Sequence, residues 1–309
     1  MEVRNFDEQL KPLFPSPVLT LGVFDGVHRG HQALLSRVVG EARACGGTPA
    51  VLTFAPHPLS VLRPGDSPEP LAPLEIRLRL FEENGIEFAV RAAFTPQMAD
   101  LDAEIFLQQV VERIAPARII VSSDFHFGKN QSGDVQFLKK SGPKYGFAAE
   151  EFGLVLHHGV KIGSRGIRDA VRLGDLKTAA EHLGRPYSVV GKVVPGDQIG
   201  RHIQVPTANI DLKSLVLPPS GVYAVKVLWA GDSYLGVCNL GKRPTVIEPG
   251  VNHETRLEVH LLDFEGDLYG QSIEVFFHDR LRDEKKFAGL EELSVQIRQD
   301  ISKARTLLK

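Results

Sequence analysis

Apolar positions in the first half of the chain follow two alternating periods. Residues 18–24 form a short β-branched run that predicts a strand, and residues 31–44 carry apolar side chains at a helical spacing. The same patterns predict further strands at 49–54, 88–93, 118–122 and 147–156, and further helices at 74–83, 102–114, 167–173 and 176–183. Strands that alternate with helices are typical of a doubly wound parallel sheet, whose ligands bind beyond the carboxyl ends of the strands.

The pattern changes at Gly184, which begins a Gly-Arg-Pro turn. From there to residue 279 the chain shows short alternating runs separated by Gly, Pro and Asp, without intervening helices. Such runs predict an antiparallel β-barrel or sandwich, and the apolar stripe along residues 289–308 predicts a closing C-terminal helix. We therefore expect an α/β domain at 1–184 and a β domain at 185–309, each long enough to bury its own core.

The charge balance and the cysteines exclude several classes of protein. Lys and Arg total 36 against 38 Asp and Glu, a net charge of −2, so the chain lacks the basic surface that nucleic acid would require. No apolar stretch approaches membrane-span length, and the first residues lack a signal-peptide pattern. Cys45 and Cys238 stand far apart outside any C-x-x-C pair, which excludes a Cys-built zinc site. We expect a cytoplasmic protein without nucleic-acid or membrane partners.

A glycine-rich segment with two histidines follows the first predicted strand. His28 and His31 stand at the predicted helix start, where backbone N–H groups and the helix dipole favour a phosphate. Glycines without a Cβ allow a nucleotide to approach the backbone. We predict nucleotidyl transfer, with both imidazoles as catalytic groups that stabilise phosphoryl charge. The nucleotide-binding candidates in this segment are Gly22, Phe24, Asp25, Gly26 and Gly30.

Two segments of the second half carry oxygen ligands and a carboxylate. Thr207 and Asn209 are two residues apart, so in an extended chain their neutral oxygens face one side and suit Mg²⁺. Glu258 and His260 share one face of a predicted strand, where the carboxylate can serve as a general base. Taken singly, P-T-A-N also fits a turn and Glu258 an exposed strand residue. The near-match to a P-loop at 236–243 is rejected, because Arg243 replaces the metal-binding hydroxyl.

Both halves resemble the bacterial bifunctional riboflavin kinase/FMN adenylyltransferase family, the prokaryotic-type FAD synthetases. In the first half the matching segments are GVFDGVHRGHQ at 22–32, TFAPHP at 53–58, DFHFG at 124–128 and GSRGIR at 163–168. In the second half they are GRPY at 184–187, PTAN at 206–209, PSGVY at 219–223, GVCNLGKRPT at 236–245, LEVH at 257–260, DLYG at 267–270 and RDEKKF at 282–287.

For the first half the resemblance implies a Rossmann-like H-x-G-H nucleotidylyltransferase domain that converts FMN and ATP to FAD. It implies that the two histidines bind and activate the ATP phosphates, and that Ser164 and Arg168 lie in a loop that closes on them. It further implies that FMN is held by a flavin-binding set of Phe54, His57, Pro58, Asp124, Phe125 and Phe127.

For the second half the resemblance implies a riboflavin kinase barrel. Thr207 and Asn209 would bind Mg²⁺ with ATP, and Glu258 would deprotonate the ribityl 5′-hydroxyl of riboflavin. Gly200 would assist ATP binding, and Arg282 and Phe287 would contact the flavin. The substrates are therefore ATP, riboflavin and FMN, with FAD as the product.

Four positions depart from the family pattern and keep alternatives open. Ser122 and Gln204 replace usual glycines, Arg165 stands in place of a hydroxyl residue, and Val205 replaces an aromatic. One alternative is a riboflavin kinase whose adenylyltransferase half is impaired. Another is a flavin-binding regulator without turnover.

Overall fold

The computed structural model describes residues 1–8, 14–196, 205–212, 214–242 and 255–308. Its contacts divide the chain into two compact units, Met1–Ser164 and Arg165–Lys309. The division falls ahead of the predicted domain boundary at 184/185, because helices α7 (Ser164–Leu173) and α8 (Leu176–Leu183) are grouped with the second unit.

The first unit is built on a six-stranded parallel sheet in the order β1-β4-β3-β2-β5-β6. Its strands are β1 (Glu2–Asn5), β2 (Val18–Gly22), β3 (Pro49–Phe54), β4 (Phe88–Ala92), β5 (Arg118–Ser122) and β6 (Ala148–Phe152). Its helices are α1 (Arg29–Cys45), α2 (Pro58–Leu62), α3 (Leu74–Glu83), α4 (Pro96–Ala99), α5 (Ala103–Ile114) and α6 (Val135–Tyr145), and β7 (Leu156–His157) with β8 (Val160–Lys161) form a small hairpin. The predicted α/β class is confirmed.

Strand order places a crevice beside β2. The chain runs outward from β2 through β3 to β4 and then returns to the other side of β2 as β5. Such a reversal is the point where open α/β sheets bind ligands, because the loops after the two strands diverge. The sheet is held from one side by an apolar cluster that joins Leu19 and Leu52 of the strands to Phe106 and Val110 of α5.

The second unit contains a closed antiparallel barrel, which confirms the predicted β fold. Its order is β10-β13-β12-β11-β14-β9. The strands are β9 (Ser188–Val194), β10 (Ala208–Leu212), β11 (Gly221–Trp229), β12 (Asp232–Lys242), β13 (Thr255–Leu261) and β14 (Ser272–Arg282). Helix α9 (Leu290–Leu307) packs its Ala304 against Val222 and Val237 of the barrel, as the apolar stripe predicted.

Candidate active sites

The loop after β2 brings the two histidines into contact. Phe24 adopts the left-handed region at φ 55° and a short 3₁₀ turn follows, so the chain reverses before α1 begins. His28 is the N-cap of α1, where its Nδ1 accepts a hydrogen bond from the backbone N–H of His31 at 3.3 Å. The two rings stack at 3.6 Å between centroids. A Cβ on Gly30 would lie 3.1 Å from the His28 ring, so a residue without a side chain suits this position.

His31 is held in its neutral form. Its ring is partly buried, with Nδ1 shielded from solvent, and this burial, the neighbouring His28 and the charge of Arg77 hold its pKa well below the usual value. Its Nδ1 has no hydrogen-bond partner in the part of the chain that the structure describes. A buried polar atom of this kind is expected where a ligand or water completes the site.

Asp25 organises the loop from inside. Its carboxylate accepts hydrogen bonds from the backbone N–H of Leu71 at 2.9 Å and of Ala72 at 3.3 Å. Its backbone carbonyl accepts a hydrogen bond from the Ser164 hydroxyl at 3.0 Å. The predicted residues Asp25 and Ser164 therefore lie together. Arg168 is buried in α7 within the second unit, and its phosphate role stays a prediction.

The predicted flavin residues of the first unit divide into exposed and buried groups. Asp124 lies two residues after the end of β5, and its carboxylate pairs with the Lys161 ammonium at 2.6 Å. Burial alone would raise the pKa of Asp124, but hydrogen bonds from Lys161 and Ser122 outweigh it and hold that pKa below its usual value. Phe125 is partly exposed and stacks on the buried Phe127 at 5.6 Å between ring centroids.

Two of the predicted flavin-binding aromatics pack in the hydrophobic core of the first unit. Phe127 and Phe54 both belong to the hydrophobic cluster under the sheet and contact the Phe106 ring. His57 caps α2 through its Nδ1, which accepts from the Leu59 N–H at 3.1 Å, and Pro58 is the first residue of that helix. Their flavin contacts stay predictions, although the loops after β2, β3 and β5 all leave the same edge of the sheet.

A first cavity of the barrel holds the predicted metal ligands. It encloses about 300 Å³ and is lined by Thr207, Asn209 and Asp267, among others. The Oδ1 atom of Asn209 is buried without a partner among the described residues, and a Cβ on Gly196 would collide with the Asn209 amide. A hydroxyl and an orphaned amide oxygen on one wall fit a Mg²⁺ ion that also binds phosphate and water. Gly200 and Gln204 lie outside the described residues.

A second cavity of about 250 Å³ adjoins the first and shares Thr207 with it. It is lined by Glu258, Arg282 and Phe287, and by apolar side chains of the barrel and of α9. Asn209 and Glu258 are cross-strand partners of β10 and β13. The predicted base therefore stands in the next strand beside the predicted metal ligands.

Several polar side chains of this second cavity carry no predicted role but make defined contacts. Asn239 donates to the Glu284 carboxylate at 3.3 Å, and the His260 ring Nδ1 lies 2.8 Å from the Pro206 carbonyl oxygen. Arg282 is bound by Asp300 of α9, with its guanidinium 5.7 Å from the Phe287 ring centroid. The spacing of Glu258 and His260 on one strand face signalled the histidine, whereas the Arg282–Asp300 pair depends on tertiary packing.

Comparisons with known proteins match both halves. The FAD synthetase family profile matches residues 12–166, and the riboflavin kinase profile matches residues 183–308. The bifunctional riboflavin kinase/FMN adenylyltransferase of Pseudomonas fluorescens is 39% identical over 299 residues, covering 96% of this chain and 95% of the relative. The Escherichia coli K12 protein of the same name is 40% identical over 290 residues, covering 93% and 91%.

A solved structure from Streptococcus pneumoniae shares the fold. It is described as a macrolide-efflux protein, and it matches with a TM-score of 0.85 and 29% identity over 98% of each chain. Within the described ranges of the present chain, no helix has the length and apolar character needed to cross a bilayer.

Proposed function

The chain belongs to the bifunctional riboflavin kinase/FMN adenylyltransferase family, and from this premise we propose how its own residues carry the two reactions. The enzyme phosphorylates riboflavin with ATP to give FMN, and it transfers AMP from ATP to FMN to give FAD and pyrophosphate. We assign adenylyl transfer to residues 1–184 and the kinase to residues 185–309. The FAD synthetase profile ends at residue 166 and the riboflavin kinase profile begins at residue 183, which supports a boundary close to residues 184 and 185.

In adenylyl transfer, a phosphate oxygen of FMN attacks the α-phosphorus of ATP and pyrophosphate leaves. His28 accepts a backbone hydrogen bond at Nδ1, so the neutral ring carries its proton on Nε2 and can donate it to a phosphate oxygen. His31 is neutral because burial and neighbouring positive groups lower its pKa. Both rings therefore act as hydrogen-bond donors that stabilise phosphoryl charge, and neither needs to form a covalent intermediate.

In the kinase, we assign Thr207 and Asn209 as ligands of Mg²⁺ and Glu258 as the general base. Bound Mg²⁺ would neutralise charge on the ATP phosphates. The Glu258 carboxylate accepts the proton of the ribityl 5′-hydroxyl, whose oxygen attacks the γ-phosphorus while the bond to the β,γ-bridging oxygen breaks and ADP leaves. The observation that carries this assignment is the shared wall of the two cavities: Thr207 lines both, and Glu258 pairs across β10 and β13 with Asn209.

The two reactions can be separated by supplying riboflavin or FMN and measuring products by chromatography. His28→Ala should abolish FAD formation from FMN and leave FMN formation from riboflavin unchanged, whereas loss of both activities would refute the division of labour. Accumulation of FMN without FAD by the unaltered enzyme would favour the impaired-adenylyltransferase alternative.

The general base is tested with two carboxylates that line the same cavity. Glu258→Gln should lower the kinase kcat about 100-fold or more, because the hydroxyl loses its proton acceptor. Glu284→Gln is the matched control, since Glu284 lines the cavity but bonds to Asn239. Full kinase activity in Glu258→Gln together with loss in Glu284→Gln would reverse the assignment.

We also propose a cytoplasmic location without nucleic-acid partners. Cys45 and Cys238 are both free thiols, as a reducing compartment favours. The near-balanced charge offers no general attraction to polyanions. Cell fractionation followed by detection of FAD synthesis tests the location, and activity confined to the membrane or extracellular fraction would contradict it.

A further inference from the structure

A charged side chain that the mechanism above does not use lies under the histidine loop. Arg77 of α3 is only 7% exposed. Its Nη1 donates to the Val23 carbonyl at 2.5 Å and to the Thr53 hydroxyl at 3.2 Å, and Nη1 and Nη2 both reach the Phe54 carbonyl at 3.4 Å. These acceptors stand at the ends of β2 and β3. One guanidinium therefore ties together the two strand ends from which the first-unit site is built.

The hydrogen bonds that Arg77 makes to the two strand ends do not require a positive charge. Burying a guanidinium costs several kcal/mol unless a carboxylate and a full set of acceptors repay it. The hydrogen bonds of Arg77 named above go to neutral oxygens, and its Nε has no partner within the described ranges. Asp25 supplies an attractive charge nearby, but its carboxylate is also engaged by the backbone of Leu71 and Ala72. A neutral amide could donate to the same carbonyls with a smaller desolvation free energy. The buried positive charge of Arg77 therefore needs a further explanation.

The reaction supplies that reason. The triphosphate of ATP and the phosphate of FMN bring several negative charges to the end of β2, and a charge in a low-dielectric interior acts over a longer range than one in water. The chain also runs from Val23, which Arg77 holds, to the His28 cap in five residues. A shift of Val23 therefore displaces the Phe24–Asp25 turn and the stacked imidazoles.

The protonation of His31 depends on Arg77 and on the other groups that face its ring. The His28 ring stacks on it, the Phe24 ring meets it edge-on at 5.1 Å, and Arg77 adds positive charge from α3. Both charged or titratable neighbours oppose protonation of His31. Removal of Arg77 therefore makes His31 easier to protonate.

We propose that Arg77 is a positioning residue for adenylyl transfer: it fixes the backbone of residues 23–25 and places a buried positive charge beneath the nucleotide-phosphate site. The proposal rests on the roles proposed for His28 and His31. Arg77 acts through the loop and through the local field, and no bond to substrate is required of it.

The test compares Arg77→Lys, Arg77→Met and the matched control Arg79→Met in the full-length enzyme. Arg79 lies on the same helix, where its side chain is about one third exposed and pairs with Glu83 at 3.3 Å. FAD formation from FMN is measured as kcat and as KM for ATP between pH 5.5 and 8.5. Riboflavin phosphorylation by the same protein sample normalises the amount of active enzyme.

Arg77→Met should lower kcat/KM for FAD formation about 100-fold, because a small displacement of reacting groups has an effect of that size. It should raise KM for ATP and move the acidic limb of the pH profile to higher pH. Arg77→Lys retains the charge without the planar fork, so its kcat should fall while its pH limb stays in place. The control should behave as the unaltered enzyme in both respects.

The proposal is overturned if Arg77→Met keeps KM for ATP and the acidic limb unchanged, whether or not kcat falls with a loss of thermal stability. If Arg77→Met is insoluble, Arg77→Lys decides: unaltered kcat for FAD formation would reject the positioning role. Failure of the histidine assignment is distinguishable, since it would leave His28→Ala active regardless of the Arg77 variants.

Discussion

The ion pair between Arg282 and Asp300 makes a quantitative prediction for the kinase unit. Asp300 of α9 is 5% exposed, and its carboxylate accepts hydrogen bonds from Arg282 Nε at 3.0 Å, Arg282 Nη2 at 2.8 Å and Gln296 Nε2 at 3.0 Å. Asp300→Ala removes the acceptor and leaves the Arg282 guanidinium and the Gln296 amide without it at the wall of the second barrel cavity. The substitution therefore probes both stability and riboflavin binding.

The expected loss of stability in Asp300→Ala follows from the burial of the ion pair. Breaking a buried pair by removing one partner costs about 3–5 kcal/mol. The Arg282 side chain keeps 20% of its exposure, so water can partly replace the lost carboxylate and the lower end, about 3 kcal/mol, applies. For a unit of this size each kcal/mol lowers the unfolding midpoint by about 2–4 °C. Asp300→Ala should therefore lower it by about 6–12 °C.

Heat inactivation of the full-length enzyme measures the effect, with kinase and FAD-forming activities assayed on the same heated samples. Only the kinase midpoint should fall by the stated amount. Asp263→Ala is the matched control, because Asp263 pairs with Arg305 of the same helix in a similar two-pronged geometry but is exposed to solvent. Equal shifts in the two variants, or a shift below about 2 °C in Asp300→Ala, would refute the reasoning from burial.

Three further predictions follow from the described geometry. Because the pKa of His31 is lowered in the folded protein, the unfolded chain binds a proton at His31 below pH 6.5 while the folded chain does not, and the stability of the first unit falls as the pH drops below 6.5. His31→Asn removes this titration, so its thermal unfolding midpoint should depend less on pH between 7.5 and 5. The same pH dependence in His31→Asn and the unaltered protein would contradict this prediction. Gly133→Ala places a Cβ within 2.6 Å of the Phe127 ring and should destabilise the first unit by about 1–3 kcal/mol in denaturant titrations, whereas Gly153→Ala, which meets open space, should not. Asn209→Ala should raise the Mg²⁺ concentration for half-maximal kinase activity about 10-fold or more and leave FAD formation unaffected; an unchanged Mg²⁺ dependence would remove Asn209 from the metal site.

Local periodicity was sufficient for many elements and failed where tertiary contacts outweigh it. The predicted bounds of β3, β5, α3 and α8 agree with the structure. Strand β1 was missed because its four residues form a mostly exposed edge strand with polar ends, held by pairing with β4. Helix α6 was missed because Gly142 and Pro143 interrupt its pattern, although its N-cap Asp134 and its buried face sustain it.

Chemistry that lies within a short segment could be predicted in the same way. His28 is the N-cap of α1 and His31 lies in its first turn, while Thr207 directly precedes β10 and Asn209 lies within it, so the proximity of each pair follows from local backbone geometry. The placement of Glu258 beside Asn209 needed the barrel register, because β10 and β13 lie almost fifty residues apart in the chain.

The sequence by itself determined the two fold classes, the family and the short motifs, because each is written in periods and spacings of a few residues. Only the tertiary structure decided which side chains meet across long stretches of chain. In the sequence, Arg77 is a helix residue and Arg282 a strand residue without a visible partner. Arg77 contacts the ends of β2 and β3 because α3 packs there, and Arg282 contacts Asp300 because α9 packs on the barrel. Burial strengthens the electrostatic interactions of both charges, since the same groups in water would interact only weakly.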